Sequence, residues 1–378
     1  MKRIIVILLC LWMCGCSSKD NQLPTAHSHQ IQIYKESNHG FSDDAGYYYI
    51  SNDGYLHFFD YESEENIIVC SRPNCPIEED SECYLPNYVY FTYNHQFYTI
   101  ERDPKDDTHS KGILVKSDLD RGNRKTIGQI PSYRILNYAI YQNKVYFAID
   151  EVVLEYNEES GSNEVAAERE CYLYIYDLES ETGTKQTFDF YDFNNSLEIT
   201  CANEEEILLS YHYFENEYDG TNYEEAKNHS EYYLFHVNTE ELKKIDIPIG
   251  KDCFFRDAML SNDHKLLVIE TKDKTTKIVR YDLEKHQREE LYECFKYPAV
   301  VDQWYFMDIH QNNYVINDVD DIQEWNQTLR DDLNLISVAK DYFLCITTEE
   351  ECKFIFMKKS DYFDGKTKGI PLIEYAKE

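Results

Sequence analysis

FFDYESEEN at residues 58–66, VKSDLDRGN at 115–123, IYDLESETG at 175–183, FHVNTEELK at 235–243 and RYDLEKHQR at 280–288 are variants of one phrase. Each runs an apolar, strand-like stretch into an acidic turn and out into another short strand. The anchors Asp60, Asp118, Asp177, Asn238 and Asp282 stand 58, 59, 61 and 44 residues apart. A carboxylate or amide at a strand end accepts hydrogen bonds from the turn backbone, so the conserved chemistry of the phrase is structural and requires no ligand. Shorter alternating runs, such as Tyr47 to Ser51, Tyr55 to Asp60 and Val145 to Ile149, fill the intervals and end in Asp, Asn, Gly or Glu-rich turns. Such runs are strand and hairpin signals. Four short strands repeated at this period form the unit of a β-propeller, in which each blade buries its faces against two neighbours. The fold expected is therefore all-β, a propeller of about seven four-stranded blades, with six or eight as alternatives.

Composition agrees. Aromatic residues make up 15% of the 378, with 34 Tyr, while Gly and Pro number only 13 and 9. Tyr, Phe and β-branched residues suit a pleated, half-buried surface. The segments assigned to blades are approximately 30–70, 84–132, 133–193, 195–252, 253–295, 297–332 and 333–378. Acidic insertions near Glu158 to Glu170 and Glu215 to Ser230 read as loops projecting from a rim. One stretch breaks the pattern: Ile322, Trp325, Leu329 and Leu333 recur at helical spacing, and Asp321 followed by Glu324 has capping-box spacing, which predicts a short helix near 321–333.

The chain opens with Lys2 and Arg3, then ten apolar residues from Ile4 to Met13, then Gly15 and Cys16. That core is too short to span a bilayer and reads as a signal peptide over 1–15. Met13, Cys14, Gly15 and Cys16 resemble a bacterial lipobox, which makes Cys16 the lipidated first residue of the mature chain, held on the membrane from outside the cytoplasm. Residues 16–30 are small, polar or turn-forming and read as a tether, leaving 31–378 as a single propeller domain. No later stretch approaches the roughly 20 consecutive apolar residues of a membrane helix.

The formal charge is −34, and loss of Lys2 and Arg3 with the leader would take it to −36. A surface this negative repels phosphate backbones, which excludes nucleic acid as a partner. The partners that remain are the membrane, through the lipid, and an extracellular protein, peptide or glycan.

Nine cysteines follow Cys16. An exported protein favours disulfides, and an odd number leaves one thiol over. Cys171, Cys201, Cys253, Cys294 and Cys345 lie in or beside strand-like runs and read as small buried hydrophobes. Cys70, Cys75 and Cys83 differ, falling together in the loop CSRPNCPIEEDSEC at 70–83. With this loop, the lipobox, GYYYISNDGYLHFFDYES at 46–63 and FMKKSDYFDGK at 356–366, the chain resembles a family of propeller lipoproteins of gut-type Firmicutes. In that family the first blade ends in Cys-x-x-Pro-Asn-Cys and a third Cys follows. The resemblance implies a propeller and a lipid anchor, and no particular reaction. Members often place a basic residue and His after the second cysteine, giving a zinc-type ligand set. Here Pro76 and Ile77 stand there, so a metal would need Glu78, Asp80 or a water as its fourth ligand. A disulfide, Cys70 to Cys75 or Cys75 to Cys83, ranks first for this loop, reduced thiols second and a structural metal third. No cofactor is predicted.

No catalytic constellation is legible. The glycines are scattered singly, so no phosphate loop exists, and G-x-S-x-G, H-E-x-x-H and EF-hand patterns are missing. Acidic pairs such as Asp43 with Asp44, or Asp320 with Asp321, arise by chance among 71 acids. Two functions are carried forward: a binding or scaffold module, and a carbohydrate hydrolase or lyase with carboxylates at the propeller axis.

Overall fold

A computed structural model describes most residues between 31 and 372; the longer segments outside that description are 36–39, 71–84, 158–161, 189–195, 216–227, 295–298, 326–329 and 349–352. The chain begins with strand β1 (Gln32–Lys35) and then builds one antiparallel sheet after another. The first sheet comprises β2 (Gly40–Ser42), β3 (Gly46–Ile50), β4 (Leu56–Asp60) and β5 (Asn66–Ile68). The second holds β6 (Tyr90–Tyr93), β7 (Gln96–Arg102), β8 (Gly112–Ser117) and β9 (Lys125–Ile130). The third holds β10 (Asn137–Tyr141), β11 (Lys144–Asn157), β12 (Ser162–Asp177) and β13 (Thr182–Gln186). The fourth holds β14 (Ser196–Ala202), β15 (Glu206–Phe214), β16 (Asn228–His236) and β17 (Glu241–Ile245). The fifth holds β18 (Phe254–Leu260), β19 (Lys265–Lys272), β20 (Thr275–Asp282) and β21 (Gln287–Cys294). The sixth holds β22 (Ala299–Val301), β23 (Trp304–Ile309), β24 (Asn312–Ile316) and β25 (Ile322–Trp325). The last holds β26 (Leu333–Ala339), β27 (Tyr342–Thr347), β28 (Phe354–Lys358), a five-residue helix α1 (Lys359–Phe363) and β29 (Ile370–Pro371).

The architecture is an all-β propeller whose blades are four-stranded antiparallel sheets in simple up-and-down order. Six of the sheets described have four strands; the third has five, because β1 adds to the free edge of β10. The uniform blade expected from the repeat therefore holds for six sheets and needs correction at the third.

Among the described residues, side chains from facing sheets form the interblade cores. Tyr48 and Leu56 meet Tyr90 and Phe97 between the first two sheets, and Ile100 and Leu114 meet Tyr138 and Phe147 between the next two. Leu173 and Ile175 meet Leu197 and Leu209, and Leu208 and Leu234 meet Leu266 and Val268. The last sheet returns to the first: Phe59 stacks on Phe356 at 4.3 Å and Tyr61 on Tyr342 at 5.7 Å. Asn66 Nδ2 donates to Pro371 O at 3.2 Å, and Glu64 accepts from Tyr342 Oη at 3.0 Å and pairs with Lys358. Among the described residues no strand is shared across this seam. The first strands approach one another, as β14 does β18 and β22 does β26, whereas fourth strands such as β13 and β17 are largely exposed. The first strands therefore line the axis.

The repeated phrase is the hairpin between third and fourth strands. Asp60 Oδ1 accepts the N–H groups of Glu62 and Ser63, both at 2.8 Å. Asp177 Oδ1 accepts those of Glu179 at 2.9 Å and Ser180 at 2.8 Å, and Asp282 Oδ1 that of Lys285 at 2.9 Å. In the fourth sheet the acceptor is His236 Nδ1, 3.3 Å from the N–H groups of both Asn238 and Thr239. His236 thus holds the place assigned from sequence to Asn238. Four residues beyond each acceptor the chain turns left-handed, with φ of 58° at Glu64, 54° at Glu181, 57° at Glu240 and 51° at His286.

The helix expected near 321–333 is corrected. Ile322–Trp325 is the outer strand of the sixth sheet, with Ile322 opposite Ile316 and Trp325 opposite Asn313, and Leu333 opens the last sheet. The apolar spacing there joins two strands across a connection; backbone pairing to β24 overrides the weak local preference.

Candidate functional site

Strand β19 turns Leu266 and Val268 into the core between the fourth and fifth sheets, and the same alternation carries Glu270 inward. Glu270 is 0% exposed. A carboxylate removed from water needs partners, and the fifth sheet supplies them. Arg288 Nη2 donates to Oε2 at 2.9 Å, Gly250 N–H to Oε1 at 3.3 Å, and the Tyr281 hydroxyl lies against Oε1. Arg288 Nε also donates to the Tyr281 oxygen at 3.1 Å. The register explains the meeting, since Arg288 on β21 is directly opposite Tyr281 on β20.

A second carboxylate extends the network: Glu290 accepts from Arg288 Nη1 at 2.5 Å and Lys277 Nζ at 2.9 Å. Lys277 and then Arg288 hold the Glu290 carboxyl below its usual range. Burial opposes the charge on Arg288, but hydrogen bonds to Glu290, Tyr281 and Glu270 outweigh it and push the pKa up. Burial, reinforced by Glu270, raises the Tyr281 phenol. Gly250 is required by close approach: a Cβ there would stand 2.8 Å from Glu270 Oε2 and 3.0 Å from Cys253 Sγ.

These groups floor a cleft of about 560 Å³, in the range of small-molecule sites. Its walls include the connection from Pro248 to Cys253 and the hairpin ends Lys272, Asp273 and Thr275. Lys251, Lys272, Lys277 and Arg288 bring four positive charges to it, set against Glu270, Asp273, Glu290 and Glu293. On a chain of charge −34 this is a locally balanced surface. The Cys253 thiol in its wall is raised by burial and by the Glu270 charge, which disfavours the nucleophilic thiolate. The arrangement suits polar recognition, with donors and acceptors of both signs.

Of the residues singled out from sequence, Cys16, Cys75 and Cys83 lie outside the described residues, as do Asp43, Asp44, Asp320 and Asp321. Cys70 is half-buried just past β5, where the Val69 N–H donates to Leu56 O at 2.8 Å. Cys171, Cys201 and Cys345 are buried on strands, and burial drives the Cys345 thiol up to about 12. Among the described residues no group of three or more His, Cys, Asp or Glu side chains is placed to hold a metal ion, and no helix is long and apolar enough to cross a membrane. The cleft itself was not anticipated. Its one legible signal is Glu270 at an inward position of KLLVIETK; Arg288, 18 residues away on the second strand over, has none.

No protein-family model matches the chain, and no curated protein does. Among solved structures it is similar to the β-propeller domain of the trilobed protease from Pyrococcus furiosus, at 10% identity and a TM-score of 0.46, covering 92% of this chain and 100% of that one. It is similar to dipeptidyl peptidase 4 of Porphyromonas gingivalis at 12% identity and a TM-score of 0.43, covering 89% of this chain but only 52% of that one, so it spans about half the peptidase's length. An oligogalacturonate lyase from Vibrio parahaemolyticus follows at 12% identity and a TM-score of 0.39, covering 71% and 72%. Likeness at this level carries no activity over to this chain.

Proposed function

We propose that the protein is a binding module, anchored by lipid on Cys16 to the outer side of the cytoplasmic membrane, whose ligand seat is the cleft that the fifth sheet forms with the connection leading into it. The observation that carries the reading is the preorganised network in that cleft: a fully buried carboxylate, Glu270, clamped by Arg288, Tyr281 and Gly250, with Lys251 and Lys272 at the opening. Rigid polar groups of both signs suit an extracellular peptide or glycan bearing polar or charged substituents. Where carboxyls are displaced in this fold, at Asp60, Asp177, Asp282, Glu231 and Glu290 for example, they are held as anions by donors. That favours recognition over general acid catalysis, which needs a carboxyl raised towards neutral pH.

The test is a screen of residues 17–378 against peptide libraries and glycan arrays, followed by calorimetry on Lys251→Glu and Lys272→Glu. Binding should weaken about tenfold or more in these variants with melting unchanged, since each reversal removes a cationic partner from the opening and puts a carboxylate in its place. A ligand indifferent to both reversals removes the cleft from the function. In cells, Cys16→Ser should move the protein from the membrane to the soluble fraction; full membrane retention would defeat the anchor.

A further inference from the structure

The position of β1 decides which way the ring faces. β1 pairs with β10, an axial strand, in antiparallel register: Gln32 opposite Ile140 and Lys35 opposite Asn137. Ile31 is buried and its N–H donates to Asn203 O at 3.3 Å, just past the end of β14. The chain therefore enters the axis at the ends of β10 and β14, where first strands turn into second strands. In an up-and-down sheet this is also the face on which third strands turn into fourth, the face of the Asp60, Asp177, His236 and Asp282 hairpins. The opposite face carries the hairpins between second and third strands and the connections between sheets, which include both cleft walls, 248–253 and 272–275.

We infer that the axial strand β1 orients the propeller on its anchor, with the acidic hairpin face towards the lipid and the cleft face turned outward. The inference rests on the tether reading of residues 16–30 for its biological setting, and on β1 alone for its geometry. A chain of fifteen residues with linker composition has a typical span of about 20 Å. Strands such as β7 and β18, of seven residues each, make the ring about 20 Å thick, so the cleft face stands roughly twice as far from the headgroups as the entry face.

The test replaces residues 1–16 with a histidine tag and binds the chain to nickel-chelating lipid vesicles, so it does not depend on native lipidation. A dye is attached through p-azidophenylalanine at Glu179 on the entry face or at Asp273 on the cleft face, both exposed. Energy transfer to an acceptor lipid should be about twofold higher from position 179. A tag placed after residue 378 should reverse the preference, because β29 runs towards the cleft face and Leu372 N–H bonds Phe354 O at its end. Equal transfer from both positions, or the same preference with either tag, would overturn the inference. Absence of a lipid on Cys16 of the native protein, read by mass, would instead overturn the anchor and leave the geometry measured.

Discussion

Glu270 is the residue whose setting is most exacting, a carboxylate without solvent whose charge is answered by Arg288. Removing one partner of such a pair strands the other, at a cost of about 3 kcal/mol, whereas replacing both with apolar groups of similar size is often neutral. Arg288→Met should therefore lower unfolding free energy by about 3 kcal/mol, and Glu270→Leu with Arg288→Met should recover most of it, as read by urea denaturation. Equal losses in single and double variants would show that the cost comes from the arginine's other contacts, to Tyr281 and Glu290, and not from a stranded carboxylate. The same residue shows the limit of reading sequence alone. An acid in an inward register of an apolar strand is visible, but its partner depends on how β20 and β21 pair, which no local pattern encodes.

At the scale of the element, the hairpin between third and fourth strands is legible as a phrase and recurs in the first, third, fourth and fifth sheets as a device, an acceptor at the strand end and a left-handed residue four positions on; in the second sheet Asp118 instead accepts from the side chains of Gln96 and Asn123, and Arg121 and Asn123 are left-handed. Its chemistry is looser than its geometry. His236 does with Nδ1 what aspartate does elsewhere, which is why reading for Asp or Asn selected Asn238 instead. The misread segment at 322–333 has the same origin, since four apolar positions at helical spacing also fit an outer strand, a connection and an inner strand. Left-handed backbone strains any residue with a Cβ by about 1 kcal/mol, and His286 is exposed with φ of 51°. His286→Gly should accordingly raise unfolding free energy by up to about 1 kcal/mol, offset in part by the looser unfolded chain. A loss of stability would show that the histidine side chain contributes to the turn.

For the whole molecule, titration sets both edges of the stability range. Turn amides and Lys partners hold Asp60, Asp177, Asp263 and Asp282 below the ordinary aspartate value. Depressed carboxyls favour the folded state above their unfolded pKa, about 4, and that contribution disappears as pH falls through the folded value. Burial raises the phenols of Tyr98, Tyr176, Tyr232 and Tyr362 to about 12. Raised phenols contribute fully below the unfolded value, about 10, and lose that contribution as pH rises to 12. Melting temperature should be flat between about pH 5 and 9, drop below 4, and drop again above 10 with a tyrosinate absorbance change. Tyrosine ionisation preceding any loss of structure would contradict the burial that raises these phenols.

The seam between the last sheet and the first is joined by side-chain contacts and not by strand pairing among the described residues: Phe59 on Phe356, Tyr61 on Tyr342, Glu64 with Lys358, and the Asn66 side chain on the Pro371 carbonyl. Every four-stranded unit is consequently one uninterrupted stretch of chain. A gene segment encoding such a unit, other than the third, which carries β1, can be duplicated or lost without rethreading any other, provided that the new neighbours offer matching aromatic faces. Propellers of different circumference are thus reachable by single recombination events, and the join is where their sequences should adapt first.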